Sequence, residues 1–216
     1  MNESNKMAAK GVFLSLEGVD GAGKSTHIPF IEQALLGHGI EVVVTREPGG
    51  TALGETLREL LLHQPMSIKT ETLLMVAARN EHIEQVIAPA LAAGKWVLCD
   101  RFSDATFAYQ GGGRELGAAA VERLEQWVHP DLWPDRTWFF DLPLEIAMQR
   151  LTSSRVLDRF EQEQQSFFVR TQRFYQQRAA SEPHRIYTID SRASIEVIQT
   201  QLQQQLHQLV AQWQKN

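Results

Sequence analysis

Gly18-Val19-Asp20-Gly21-Ala22-Gly23-Lys24-Ser25 constrains this chain more than any other stretch. It fits the pattern G-x-x-x-x-G-K-[ST] without a mismatch. The run Val12–Leu16 before it reads as a buried strand, and Ser25–Leu36 after it as a helix. A glycine-rich turn between strand and helix aims backbone N–H groups inward, and the helix N-terminus adds partial positive charge. Such a turn cradles phosphate oxygens. Lys24 can reach β/γ-phosphates and Ser25 can ligate Mg²⁺.

The rest of the chain repeats the same alternation. Strands are expected at Val12–Leu16, Glu41–Thr45, Trp96–Cys99, Thr137–Asp141 and Ile186–Ile189. Helices are expected at Ser25–Leu36, Leu53–Leu62, Thr70–Ala92, Ala118–Val128, Leu144–Leu151, Glu161–Ala179 and Ile195–Gln212. Strands separated by helices predict an α/β fold: a five-stranded parallel sheet with helices on both faces. Residues 11–216 read as a single domain, preceded by a polar tail, Met1–Lys10, with no signal-peptide core. The Gln-rich end keeps Ile195, Ile198, Leu202, Leu206, Leu209 and Trp213 at spacings of three and four, which is an amphipathic helix.

Composition narrows the function. A length of 216 residues with 43% hydrophobic content suits one full-sized core. A net charge of −5 gives no global support to a nucleic-acid-binding surface, so an anionic small ligand must be met by local arginines and lysines. No apolar run approaches the ~20 residues of a membrane span. The single cysteine, Cys99, lies in an apolar run and reads as a buried reduced thiol. Nothing here calls for a membrane or nucleic-acid partner, and a cytoplasmic location is expected.

Other landmarks sit at strand ends, where open parallel sheets gather ligands. Asp100 closes the third strand and can hold Mg²⁺ or its water; Arg101 beside it can hold an oxyanion. Arg46 ends the second strand ahead of the tight Pro48-Gly49-Gly50 turn and can fork onto a phosphate. Arg79 stands beside Ala77 and Ala78, whose small side chains leave room for a planar ligand. Tyr109 supplies an aromatic wall, Gln110 an amide that can read a base edge, and Gly111-Gly112-Gly113-Arg114 a mobile turn. Arg150, Arg155, Asp158 and Arg159 surround Ser153-Ser154. Such a cluster is either a charged helix surface or a lid, about residues 150–160, that brings cations onto a transferring phosphoryl group. Glu161 and Glu163 read as the solvated face of the following helix.

From Gly11 to about Ile189 these residues resemble the bacterial thymidylate kinases, a branch of the P-loop nucleoside monophosphate kinases. The resemblance is carried by Glu17–Ser25, Thr45–Gly50, Ala77–Arg79, Asp100–Phe102, Ala108–Arg114 and Leu157–Glu163. It implies a P-loop NTPase fold with a short lid, and transfer of the γ-phosphoryl group of ATP to dTMP with Mg²⁺. Gly18, Val19, Asp20, Gly21, Ala22, Gly23, Lys24, Ser25 and Thr26 would bind ATP, with Ser25 and Asp100 at the metal. Asp20, Arg46, Met75, Arg79, Arg101, Thr106, Tyr109 and Gln110 would bind dTMP. Many relatives carry a Phe where Met75 stands. Tyr109 would exclude a 2′-hydroxyl, and Lys24, Asp20, Arg101 and Arg155 or Arg159 would serve transfer. The P-loop contains no arginine, so the chain looks like the type that keeps its catalytic arginine in the lid. The resemblance also implies a homodimer. Another deoxynucleotide or nucleoside kinase is the near alternative. A nucleotide-dependent switch is the distant one, and the chain has no Asn-Lys-x-Asp guanine-reading motif.

Overall fold

The central strands are apolar on both faces, and the chain folds accordingly. β1 (Phe13–Glu17), β2 (Val42–Arg46), β3 (Trp96–Asp100), β4 (Arg136–Asp141) and β5 (Ile186–Asp190) form one parallel sheet in the order β2-β3-β1-β4-β5. The structure, a computed structural model, describes residues 10–152 and 158–215. The expected tail over residues 1–9 and the middle of the expected lid lie outside the described residues. Along β1 the side chains alternate. Phe13 packs with Ile87, Leu91, Val97 and Phe102, whereas Leu14 and Leu16 pack with Ile31, Leu35, Trp96 and Leu98.

The helices are α1 (Lys24–Gly37), α2 (Ala52–His63), α3 (Ile68–His82), α4 (Ala88–Ala92), α5 (Ser103–Thr106), α6 (Ala118–Val128), α7 (Leu144–Thr152), α8 (Gln165–Ser181) and α9 (Ile195–Trp213). Thr51, Ser67 and Ser194 cap α2, α3 and α9 by accepting backbone N–H bonds. From β1 the chain runs outward to β2, returns to β3 beside β1, then crosses to β4 on the other side. That reversal opens a crevice at the carboxyl end of β1, where the phosphate loop begins.

All five expected strands are present with bounds within one residue. Two helical expectations and one turn expectation change. The single helix over Thr70–Ala92 is α3, a π turn over Ile83–Ile87, and α4. Pro89 stands at the start of α4 and has no N–H to complete the α ladder, so the register slips there. The mobile turn at Gly111–Arg114 is instead a buried π-helical segment, Phe107–Gly113, continuing α5. Its glycines admit α8: a Cβ on Gly112 would lie 2.3 Å from the Phe174 ring, and one on Gly113 2.4 Å from Thr171 Oγ1. The third change is at α8, which begins at Gln165 rather than Glu161. Asp158 Oδ1 accepts from the Phe160 and Glu161 amides, and this local bonding competes with helix. Glu161 is consequently buried, and Glu163 pairs with Arg114, so neither is a solvated helix face.

Candidate active site

The loop after β1 is braced by its own lysine. Lys24 is buried, and its Nζ donates to the Gly18 and Val19 carbonyls at 3.1 and 3.4 Å. Gly21 has a φ of +79°, and a Cβ there would lie 2.6 Å from the Ala147 carbonyl oxygen of α7. Only glycine meets both demands. Asp20 through Thr26 line a cleft of about 1470 Å³, counting its open mouth. Gly18 and Val19 lie behind it: Val19 is core, and Gly18 contributes its carbonyl.

Among the described residues, Lys24, Arg46, Arg58, Arg101 and Arg150 line this cleft against the carboxylates Asp20, Glu47 and Asp100. A local excess of positive charge in an acidic chain draws a polyanion. Burial and the neighbouring Arg101 charge lower the proton affinity of Lys24, while Asp100, Asp20 and Glu17 oppose them. A bound phosphate would add to that opposition. Asp100 Oδ1 is buried with no hydrogen-bond partner among the described residues, and Ser25 opens into the same cleft. An unsatisfied carboxylate oxygen beside a hydroxyl suits a hard divalent cation, which takes oxygen ligands.

A second cavity of about 570 Å³ continues inward, lined by Asp20, Glu47, Arg58, Met75, Arg79, Arg101, Phe102, Ala105, Thr106, Tyr109, Gln110 and Phe160, among others. Arg101 and Arg58 border both spaces. Arg101 donates from Nη1 to the Gly18 carbonyl at 2.7 Å and from Nη2 to Asp20 Oδ1 at 2.7 Å, and lies over the Tyr109 ring. Burial pushes the Asp20 carboxyl up, but Arg101 and Lys24 outweigh it and hold it at about 2. Tyr109 donates its hydroxyl to the other Asp20 oxygen.

The inner wall is a chain of buried ion pairs. Arg79 is 2% exposed and donates to Glu47, Glu125 and Thr106. His82 bonds the second Glu47 oxygen, and Ser103 the second Glu125 oxygen. The Glu47–Pro48 peptide is cis. Ala77 and Ala78 do not line the cavity; the space beside Arg79 is left by Met75, Ala105 and Phe102 instead.

The cavities bring together the residues expected for dTMP, with Arg46 on the rim of the outer cleft, paired with Glu55. The lid arginines separate. Arg150 Nη1 donates to the Gly21 carbonyl at 3.2 Å. Arg155 lies outside the described residues. Arg159 is turned away from the loop, held by the buried Glu71 carboxylate at 2.7 Å and by the Leu61 carbonyl.

The model of the family described as thymidylate kinase matches residues 16–202. A thymidylate kinase of Bordetella pertussis is 61% identical over 206 residues, 95% of this chain and 99% of that protein. One of Thiobacillus denitrificans is 54% identical over 94% of this chain and all of its own length. The crystal structure of the Ehrlichia chaffeensis thymidylate kinase superposes with a TM-score of 0.75 at 31% identity, covering 92% of this chain and 99% of that one. The chain belongs to the thymidylate kinase family. Its sheet and phosphate loop are those of a P-loop NTPase.

The acidic side of the site in this thymidylate kinase family member is not marked by any local sequence pattern. Glu71 stands in the first turn of α3, where an acidic residue reads as a partner of the helix dipole. In the fold it anchors Gln110, Arg114 and Arg159. Glu125 reads as one more charge on α6, and Arg58 as one more on α2. The only available signal was their place on helices bordering the motif loops.

Proposed function

We propose that the two cavities hold two nucleotides end to end, ATP with its phosphates on the loop and dTMP in the inner pocket, its phosphate toward Arg101. Membership in the thymidylate kinase family makes phosphorylation of thymidylate the activity. The observation that carries the residue assignment is Arg101, one guanidinium that borders both spaces and grips the loop carbonyl of Gly18.

On the acceptor side, Gln110 donates its amide N–H to Glu71 and keeps a buried Oε1 with no partner among the described residues. That oxygen suits the N3–H of thymine. Thr106 Oγ1 already accepts from Arg79, so its proton is available to a base oxygen. Met75 packs its thioether against the ring. Tyr109, tied to Asp20, closes the sugar side against a 2′-hydroxyl. Arg46, Arg58 and Arg101 receive the phosphate.

A nucleoside monophosphate has a second pKa of about 6 and is mostly dianionic at neutral pH, so its attacking oxygen needs no general base. The protein's task is alignment and charge neutralisation. Lys24 and the loop amides hold the donor phosphates. Ser25 and Asp100 would hold Mg²⁺, which supplies further neutralisation of the phosphate oxygens. Residues 150–160 act as the lid, with Arg150 and Arg155 serving the transferring group and Arg159 bracing the nucleoside wall through Glu71. Among the described residues no helix is long and apolar enough to cross a membrane. We place the protein in the cytoplasm as a homodimer. Its interface would include the packed helices α2, α3 and α6, which expose Leu53, Leu60, Leu73 and Trp127.

Incubation with ATP–Mg²⁺ and a panel of nucleoside monophosphates tests the reading. Rapid ADP release with dTMP, slower with dUMP and negligible with purine monophosphates is expected; preferential use of a purine acceptor overturns it.

A further inference from the structure

Arg101 borders both cavities, and its backbone is bent: its φ is +71°, in the left-handed region. A bulky side chain there persists only where its surroundings hold it. Five bonds surround the bend. The Arg101 N–H donates to the Leu16 carbonyl of β1 at 2.9 Å, and Cys99 Sγ donates to the Arg101 carbonyl. The next amide, Phe102 N–H, donates to Glu17 Oε1 at 2.7 Å. The other Glu17 oxygen accepts from the Tyr175 hydroxyl at 2.7 Å, and that hydroxyl oxygen accepts from Arg101 Nη1 at 3.2 Å.

We infer that Glu17 and Tyr175 are the positioning residues of Arg101, one fully buried carboxyl clamping its backbone directly and its guanidinium through a phenol. The inference rests on the assignment of Arg101 to the acceptor phosphate. Neither residue lines either cavity, so neither touches substrate. The direction of the relay is set by chemistry. Burial and the Glu17 charge keep the Tyr175 phenol protonated, so it donates toward Glu17 and offers its lone pair to Arg101. Glu17 is the last residue of β1, immediately before the loop, and Tyr175 comes from α8. The clamp therefore ties donor loop, acceptor arginine and α8 into one unit. An amide at position 17 cannot replace it. Glu17→Gln has one acceptor for two donors, so either the Phe102 N–H is left facing an NH₂ group or the Tyr175 proton is turned onto Arg101.

The test uses Tyr175→Phe, Glu17→Gln and Arg101→Ala, with Tyr175→Phe also placed in the Arg101→Ala background. Steady-state kinetics are read for both substrates together with thermal unfolding. Tyr175→Phe is expected to lower kcat/KM for dTMP about tenfold and Glu17→Gln about a hundredfold, with KM for ATP within about twofold. In the Arg101→Ala background Tyr175→Phe is expected to add no further loss, because a residue acting through Arg101 has nothing left to position. A full tenfold loss in that background overturns the inference. So does an equal rise in both KM values, or wild-type kinetics in a Tyr175→Phe protein that has lost only thermal stability. If Glu17→Gln fails to fold, the Tyr175→Phe pair still decides. Full dTMP activity in Arg101→Ala alone would instead reject the assignment of Arg101 itself.

Discussion

The inner pocket and the outer cleft share Arg101 and Arg58, yet they treat charge in opposite ways. At the inner pocket the buried arginine of the wall is matched by carboxylates, Arg79 being shared by Glu47 and Glu125, and Arg159 behind the wall is held by Glu71. The lining of the outer cleft carries more cationic than anionic side chains, and its Asp100 oxygen, without a hydrogen-bond partner among the described residues, points to a cation rather than an arginine. The difference matches what each must bind. A neutral base needs donors and acceptors whose positions do not move, and buried ion pairs supply fixed geometry. A pair of phosphates needs net charge that is not already spent on the protein.

Lys24 puts the outer cleft to the hardest test. Lys24→Ala is expected to lower kcat by about 10³-fold or more while circular dichroism and melting temperature stay near wild type. Near-normal turnover would remove the outer cleft from the chemistry. Next come paired arginine truncations. Arg79→Ala strands Glu47 and Glu125 in the interior and is expected to cost about 3–5 kcal/mol in urea unfolding. Arg46→Ala removes an exposed pair with Glu55, and is expected to change stability by less than about 1 kcal/mol while raising KM for dTMP. Equal stability losses would erase the distinction between the two regions.

Their carboxylates also oppose each other in pH. At the inner wall, burial pushes Glu125 up, but Arg79 and His129 outweigh it and hold it at about 2, below its ordinary 4.5. Its contribution to stability is present above pH 4.5 and lost as pH falls toward 2. Beneath the outer cleft, burial and the Asp104 carboxylate push Glu17 up, against Arg101 and its two hydrogen bonds. Its contribution is present below pH 4.5 and lost as pH rises through its raised value. Wild type is therefore expected to lose stability relative to Glu17→Gln when pH is raised from 5 to 8, by at most about 1.4 kcal/mol per pH unit. Parallel curves across that window would refute the raised Glu17. The smallest effect sharpens the inner pocket alone: Tyr109→Ala is expected to relax discrimination against the ribonucleotide about tenfold, and unchanged discrimination would remove Tyr109 from the sugar side.

The sequence alone determined the sheet, the loop and the list of cationic residues, for a local reason. Strand runs, the G-x-x-x-x-G-K-S turn and the strand-end arginines are written in contiguous residues whose spacing carries the physics. What each arginine does was decided by tertiary contacts. Arg159 and Arg150 look alike beside their neighbours in the chain, but Glu71 from α3 captures one and the Gly21 carbonyl the other. Gly111–Gly113 looks like a flexible turn until α8 packs onto it and makes it a buried π segment. Glu17 looks like the edge of a motif until Phe102 and Tyr175 arrive from elsewhere in the chain. A buried charge takes its partner from whichever element closes over it, and no local pattern records which element that will be.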